Sequence, residues 1–251
     1  MFENAGKKGL EIMKLIGMLT TYEDADWLPR ALDSFGQLDG GIICEGAYQE
    51  VIKLGKTPRS QDGTLEIIHD FVQKHNKNKF KYLQANQESD VHQRNFVLEQ
   101  IKESWPGQNT VVMIIDGDEE YTSEQLQEIR KWAEWLTSQG EYLCSLIWSK
   151  VYVTEKNYTL HIFPRLFRVT PDCKFIDDNL MYWPERSFTC QFTDKEHGRA
   201  KLLPVTLATT HHSYQRNRDR FSRKKDWWTA RRGSFPWYWD EVLNRPHRGD
   251  L

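Results

Sequence analysis

Five consecutive apolar residues, Val111-Val112-Met113-Ile114-Ile115, leave a strand no polar face. A strand of that kind is buried on both sides, as happens inside parallel sheets covered by helices. The run stops at Asp116-Gly117-Asp118, and open α/β sheets bind ligands at the carboxyl ends of their strands. Hard divalent cations take carboxylate oxygens, and magnesium typically uses one or two of them together with substrate phosphates. Gly117 removes a side chain where a diphosphate would need close approach. An acidic turn before a capped helix would give the same tripeptide, because turns favour both residue types. A calcium loop is excluded: Glu120-Tyr121 occupies the places of a third oxygen ligand and an obligatory glycine.

Strand and helix signals alternate around this run. Lys14–Leu19 is a short apolar stretch, and Trp27, Leu28, Ala31, Leu32 and Phe35 follow it at helical spacing. Gly40–Cys44 and Phe80–Leu83 read as strands, and Leu65, Ile68 and Val72 mark a helix between them. Val91, Leu98, Ile101 and Trp105 mark another, stopped by Pro106-Gly107. Thr122 with Gln125 forms a capping box ahead of Leu126, Ile129, Ala133 and Leu136. The pattern predicts an α/β fold with a mostly parallel central sheet and helices on both faces. Beyond residue 140, Tyr142–Val153 and Thr159–Val169 read as paired strands, and Leu202–Ala208 as one more. The expected organisation is one compact domain: a tail over 1–13, a nucleotide-type half over 14–140, and an acceptor-side half over 141–251 ending in a basic helix.

No run is long and apolar enough to span a membrane, and MFENAGKKGLEIMK lacks the apolar stretch of a secretory signal. Cys44, Cys144, Cys173 and Cys190 are far apart, which fits reduced thiols and a cytoplasmic setting. The formal net charge of −2 hides an uneven distribution. Between Tyr214 and Arg232 eight basic residues face only Asp219 and Asp226, a segment of net +6. Such a patch fits a phosphate-bearing partner, or a solvated helix face.

Other residues join the acidic tripeptide as candidates. Glu45 ends the second strand, where a carboxylate can hold a base or ribose. Arg94, on the helix before the Asp116 strand, can pair with a carboxylate or phosphate. Gly55-Lys56-Thr57 is no phosphate loop, because Glu50 stands where that motif needs glycine. His211-His212 follows a strand, and either could be a third metal ligand or a hydrogen-bonded structural residue. Beyond them Arg223 and Lys224 could hold a diphosphate.

Taken in order, several segments resemble the family-2 glycosyltransferases, which have the GT-A fold. They are Leu15-Ile-Gly-Met-Leu-Thr-Thr-Tyr22 with Trp27-Leu-Pro-Arg-Ala-Leu32, Ser60-Gln-Asp-Gly-Thr-Leu-Glu-Ile-Ile68, His92-Gln-Arg-Asn95 and Ile-Ile-Asp-Gly-Asp118. Pro164-Arg-Leu-Phe-Arg168 and His211-His-Ser-Tyr214 are similar to later elements of some branches. The resemblance implies a Rossmann-like GT-A sheet and a nucleotide-sugar donor, usually of uridine diphosphate. It implies that Thr21, Tyr22, Glu45 and Arg94 hold the nucleotide, and that Asp116 and Asp118 reach ribose and metal, Mn2+ or Mg2+. His211 or His212 would close the metal site. An insertion, Gly46 to Arg59, departs from the family pattern, and the His-Glu pair often found after the Arg-Leu-Phe-Arg segment is missing, with Asp177-Asp178-Asn179 standing nearby.

The expected chemistry is single displacement with inversion. A carboxylate accepts the proton of the acceptor hydroxyl, with Asp178 the first candidate, then Asp177 and Glu185. The acceptor is a glycan, a peptide or protein, or a hydroxymethylated base in DNA, as in phage-encoded enzymes of this general type. The DNA option draws on Trp227-Trp228 and Arg231-Arg232 within the basic segment, since cationic and aromatic side chains together suit phosphates and unstacked bases. Two other classes stay open. A nucleotidyltransferase would use the same metal site but needs a glycine- and arginine-rich loop after the first strand. A non-catalytic nucleic-acid-binding module would need only the basic segment.

Overall fold

In a computed structural model of the chain, residues 12–76, 78–107, 109–139, 142–152, 158–177, 180–186, 188–190 and 199–212 are described. The first elements are β1 (Lys14–Thr21), α1 (Leu28–Phe35), β2 (Gly40–Glu45), α2 (Gln49–Lys53), α3 (Thr64–Lys74) and β3 (Phe80–Gln84). They are followed by α4 (Asp90–Ser104), β4 (Thr110–Ile114), β5 (Glu119–Glu120), α5 (Ser123–Ser138), β6 (Cys144–Tyr152) and β7 (Tyr158–Arg168). Five short strands come last: β8 (Lys174–Asp177), β9 (Leu180–Trp183), β10 (Phe188–Cys190), β11 (Ala200–Leu202) and β12 (Thr209–His211).

The main sheet runs β3-β2-β1-β4-β7-β6-β12-β5, with β11 beside β6. Its first four strands are parallel to one another, and β7 joins β4 antiparallel. The two halves expected from the sequence therefore share one sheet. Side chains along each strand alternate between two cores. Leu15, Leu19, Val111, Met113 and Ile115 face α1, α3 and α5, whereas Ile16, Met18, Val112 and Ile114 face α4. The second core also holds Phe175, Met181 and Trp183 of a separate three-stranded sheet, β10-β9-β8. That sheet escapes sequence reading because its strands are only three or four residues long.

Two local features hold the layers together. Gly17 and Gly41 are register partners in β1 and β2, and the Phe35 ring lies where a Cβ on either would sit. The capping box is complete: Gln125 N donates to Thr122 Oγ1 at 3.2 Å, and Thr122 N to Gln125 Oε1 at 2.8 Å. The expected strand over 202–208 instead ends at Leu202, and Val205–Leu207 forms a 3-10 turn after Pro204. Proline has no N–H to give the ladder, so the strand stops there. The insertion after Glu45 contains a short helix, α2, that its sequence did not announce. Among the described residues no helix is long and apolar enough to cross a membrane.

Candidate active site

From β1 the chain passes to β2 and β3 on one side, then returns through α4 to β4 on the other side of β1. The strand order therefore reverses between β1 and β4, the kind of position where open α/β sheets bind ligands. Thr21-Tyr22-Glu23-Asp24 leaves β1 there, and Asp116-Gly117-Asp118 follows β4. The two loops touch. Thr21 Oγ1 donates to Asp24 Oδ2 at 2.9 Å, and a Cβ on Gly117 would stand 2.7 Å from Asp24 Oδ2 and 3.0 Å from Thr21 Oγ1. A side chain at Gly117 would displace Asp24 or Thr21, so the glycine favours loop-to-loop contact, a reason distinct from the diphosphate approach inferred from sequence. Glu23 has φ 52°, a left-handed conformation that is strained for a side-chain-bearing residue. Its N–H is held by Ser60 Oγ at 2.8 Å.

Asp116 lies between two guanidinium groups. Arg94 Nη2 donates to Oδ1 at 3.4 Å, and Arg165 Nη2 donates to Oδ2 at 2.7 Å. Arg165 Nη2 also reaches Glu119 Oε1 at 2.5 Å. On the other side Arg94 Nε donates to both oxygens of Asp90, at 3.2 and 3.3 Å. Tyr48 OH, from the insertion, donates to Asp90 Oδ1 at 2.9 Å. An alternating chain of charges therefore runs from the insertion through Arg94 and Asp116 to Arg165 and Glu119. Burial alone would raise the Asp116 carboxyl, but Arg165 and Arg94 outweigh it and hold it at about 2. Burial pushes Glu119 up despite Arg165. Burial also works against the charge of both arginines, yet their carboxylate neighbours raise them above the usual range. The resemblance assigns Arg94 to the nucleotide; here its visible partners are the carboxylates of Asp90 and Asp116. Asp90, Tyr48, Glu119 and Arg165 join the site although none is a candidate from sequence. The Asp90–Arg94 pair carries a local signal in its i,i+4 spacing on a helix, and Arg165 lies in the Pro164-Arg-Leu-Phe-Arg168 segment.

The two histidines have different surroundings. β12 pairs antiparallel with β5, setting His211 opposite Glu119. His211 Nε2 lies 3.1 Å from Asp118 Oδ1, and its Nδ1 lies 3.8 Å from Glu119 Oε1. The His212 ring stacks on Trp27 at 3.9 Å, with planes 2° apart, and its Nε2 is 3.0 Å from Glu120 Oε1. Its backbone N–H donates to the Asp118 carbonyl at 2.9 Å. His211 is the histidine that faces Asp118, while His212 ties the strand to Trp27 and the β5 segment. Asp118 and His211 offer one carboxylate and one imidazole, a donor pair that suits a divalent cation completed by substrate oxygens. Among the described residues no group of three or more His, Cys, Asp or Glu is arranged to hold a metal ion by itself.

At the end of β2, Glu45 is fully buried. Its Oε1 accepts from Ser60 N at 2.7 Å, while Oε2 is buried with no hydrogen-bond partner among the described residues. An unmatched buried carboxylate oxygen is costly and calls for a donor. Around it, Tyr22 OH donates to Thr57 O at 2.8 Å, and Arg59 Nη2 to Tyr82 OH at 3.2 Å. Asn86 Nδ2 donates to Ala47 O and Pro58 O, at 2.9 and 2.6 Å. These contacts fasten the insertion over the ends of β1, β2 and β3.

Two of the residues considered as general bases, Asp177 and Glu185, stand at opposite ends of β9 in backbone position. Asn95 Nδ2 donates to Phe175 O at 2.9 Å and its Oδ1 accepts from Phe175 N at 2.8 Å. At the other end of α4, Lys102 Nζ donates to Pro171 O and Cys173 O, both at 2.8 Å. β8 therefore runs toward the Arg94 end of α4, and Asp177, its last residue, lies at the Asp116 side. Asp177 pairs with Leu180 at the start of β9. Glu185 is exposed on the turn Pro184–Arg186 beyond the far end of that strand, about 13 Å away along four strand residues. Asp178, Arg223, Lys224 and the basic segment lie outside the described residues.

No protein-family model matches the chain, and no curated protein sequence matches it. Among solved structures, a crystal structure of S. aureus TarS 1-349 superposes with a TM-score of 0.48 at 14 % identity, covering 92 % of this chain and 69 % of that one. A mannose-6-phosphate isomerase from Helicobacter pylori gives a TM-score of 0.33 at 10 % identity, over 58 % of this chain and 53 % of that one. Both superpositions are weak, and neither carries functional weight.

Proposed function

We propose that the chain is a GT-A-type, family-2-like glycosyltransferase that moves a sugar from a nucleoside diphosphate sugar to a hydroxyl acceptor. The carrying observation is the meeting of the Thr21–Asp24 and Asp116–Asp118 loops at the β1/β4 reversal, with His211 against Asp118. Glu45 offers its unmatched oxygen to an N–H of the base, and Tyr22 with the insertion borders that pocket. Asp116, kept anionic by its guanidinium neighbours, accepts a ribose hydroxyl. Asp118 and His211 would hold Mn2+ or Mg2+, whose Lewis acidity assists departure of the diphosphate. Arg223 and Lys224 add positive charge to the same leaving group. Asp178 or Asp177 takes the proton from the acceptor hydroxyl. The new bond from that oxygen to the anomeric carbon forms as the bond to the diphosphate breaks, inverting the centre. The acceptor is a glycan or a hydroxymethylated DNA base, the second drawing on the basic stretch from Arg216 to Arg232.

The test is a panel of nucleotide-sugars incubated with Mn2+, Mg2+ or chelator. Slow release of one nucleoside diphosphate, lost in chelator, is expected; no release from any donor would remove the proposal. DNA binding titrated against salt separates the acceptors, because phosphate contacts weaken steeply as salt rises. Gly117→Ala is expected to force the loops apart and to lower donor turnover by roughly 10–100-fold, since small misplacements are costly in a site. Its melting temperature should change little. Full turnover in that variant would show that the loop contact has no part in donor binding.

A further inference from the structure

Resting on the donor reading above, we infer that Arg165 is a positioning residue of the site, delivered by a bulge in β7 to hold Asp116 and Glu119 in one arrangement. Between β6 and β7 the register passes from Ser145–Leu166 to Leu146–Pro164, so Arg165 is the extra residue with no partner across the ladder. β4 stops pairing with β7 at the same place, its last pair being Met113–Leu166. A bulge bends its strand and re-aims a side chain, and bulges recur beside active sites. Here it turns Arg165 past the end of β4 into the Asp116–Glu119 pair, with the guanidinium lying 5.0 Å from the centre of the Phe163 ring.

Stability does not explain this residue. The Arg165 side chain is 2 % exposed, and its Nε and Nη1 are buried with no hydrogen-bond partner among the described residues. Burying a guanidinium with unmet donors is costly, and a well-packed apolar residue commonly serves a fold as well as a buried ion pair does. What the arrangement does provide is a fixed carboxylate. Arg94 takes Oδ1 of Asp116 and Arg165 takes Oδ2, so the group is restrained against rotation from both sides. The Asp116 side chain still keeps 25 % of its surface open, leaving acceptor lone pairs for a ligand hydroxyl.

The test compares Arg165→Met with Arg165→Met/Glu119→Gln, by thermal melting and by titration with uridine diphosphate and Mn2+. The single variant should melt well below the wild type, because it takes the guanidinium from the buried Glu119 and leaves it only the Asp116 N–H and the more distant His211 ring. Adding Glu119→Gln removes that buried charge and should restore most of the melting temperature. Affinity for the nucleotide should nevertheless stay about 10–100-fold down, the usual effect of removing a group that orients a ligand residue. Wild-type affinity in the double variant would show that Arg165 only neutralises Glu119, and would overturn the inference. A double variant as unstable as the single one would assign Arg165 to the fold and overturn it too. Wild-type protein that binds no nucleoside diphosphate would bring down the donor reading itself, and the positioning role with it.

Discussion

Asp118→Ala is expected to lower metal-dependent donor turnover by roughly 10³-fold, equivalent to the several kcal/mol that a bound divalent cation supplies. The substitution removes the hard oxygen that stands 3.1 Å from His211 Nε2. It leaves the backbone carbonyl that receives the His212 N–H, so β5 and β12 should keep their register. The loss should therefore belong to the chemistry and leave the fold intact. The measurement is nucleotide affinity with and without Mn2+, alongside initial rates. In the wild type Mn2+ should tighten binding of uridine diphosphate; in Asp118→Ala that gain should vanish, leaving the weaker metal-free affinity. A variant that still binds more tightly with Mn2+ would move the metal away from Asp118 and His211.

Which parts of this site were legible in the sequence follows from how local each signal is. The strand carrying Asp116 needs only five adjacent apolar residues, and the capping box at Thr122 needs only two residues three apart. The strand appears one residue earlier than read, as Thr110–Ile114, and the capping box is complete. The β1–β4 order is nearly as accessible, because alternating strands and helices leave few arrangements for a parallel sheet. The charge chain is different in kind. Arg165 is 49 residues from Asp116 and 46 from Glu119, and in sequence the segment Pro164-Arg-Leu-Phe-Arg168 that holds it stands out by resemblance but points to neither carboxylate. Only a one-residue register shift brings it to the site, and nothing in the local pattern marks that shift. The same holds for His211 and His212: His211 ends β12 and His212 follows it, and neighbouring side chains of an extended chain point to opposite faces, so only one faces Asp118. Choosing between them requires knowing that Trp27 lies on the other side. The Phe35 ring over Gly17 and Gly41 is legible only in retrospect, since the two glycines become neighbours through pairing.

Asp178→Asn is expected to lower transfer by roughly 10²–10⁴-fold with little change in donor affinity, because the amide keeps the shape of the side chain but accepts no proton. Helix α4 fixes where β8 runs. Its first turns hold Asp90 and Arg94 in the chain of charges that passes through Asp116, and Asn95 fastens β8 beside them through both backbone groups of Phe175. The chain leaves β8 at Asp177 on this side of the molecule, whereas Glu185 follows the opposite end of β9. Glu185→Gln should therefore leave turnover within about twofold of wild type, as surface substitutions away from a site usually do. The discriminating measurement is the rate of transfer to acceptor set against the rate of donor hydrolysis, for Asp177→Asn, Asp178→Asn and Glu185→Gln. Loss confined to Asp177→Asn would shift the base by one residue and keep it at the end of β8. Loss confined to Glu185→Gln would place the acceptor at the other end of β9 and remove the end of β8 from the mechanism.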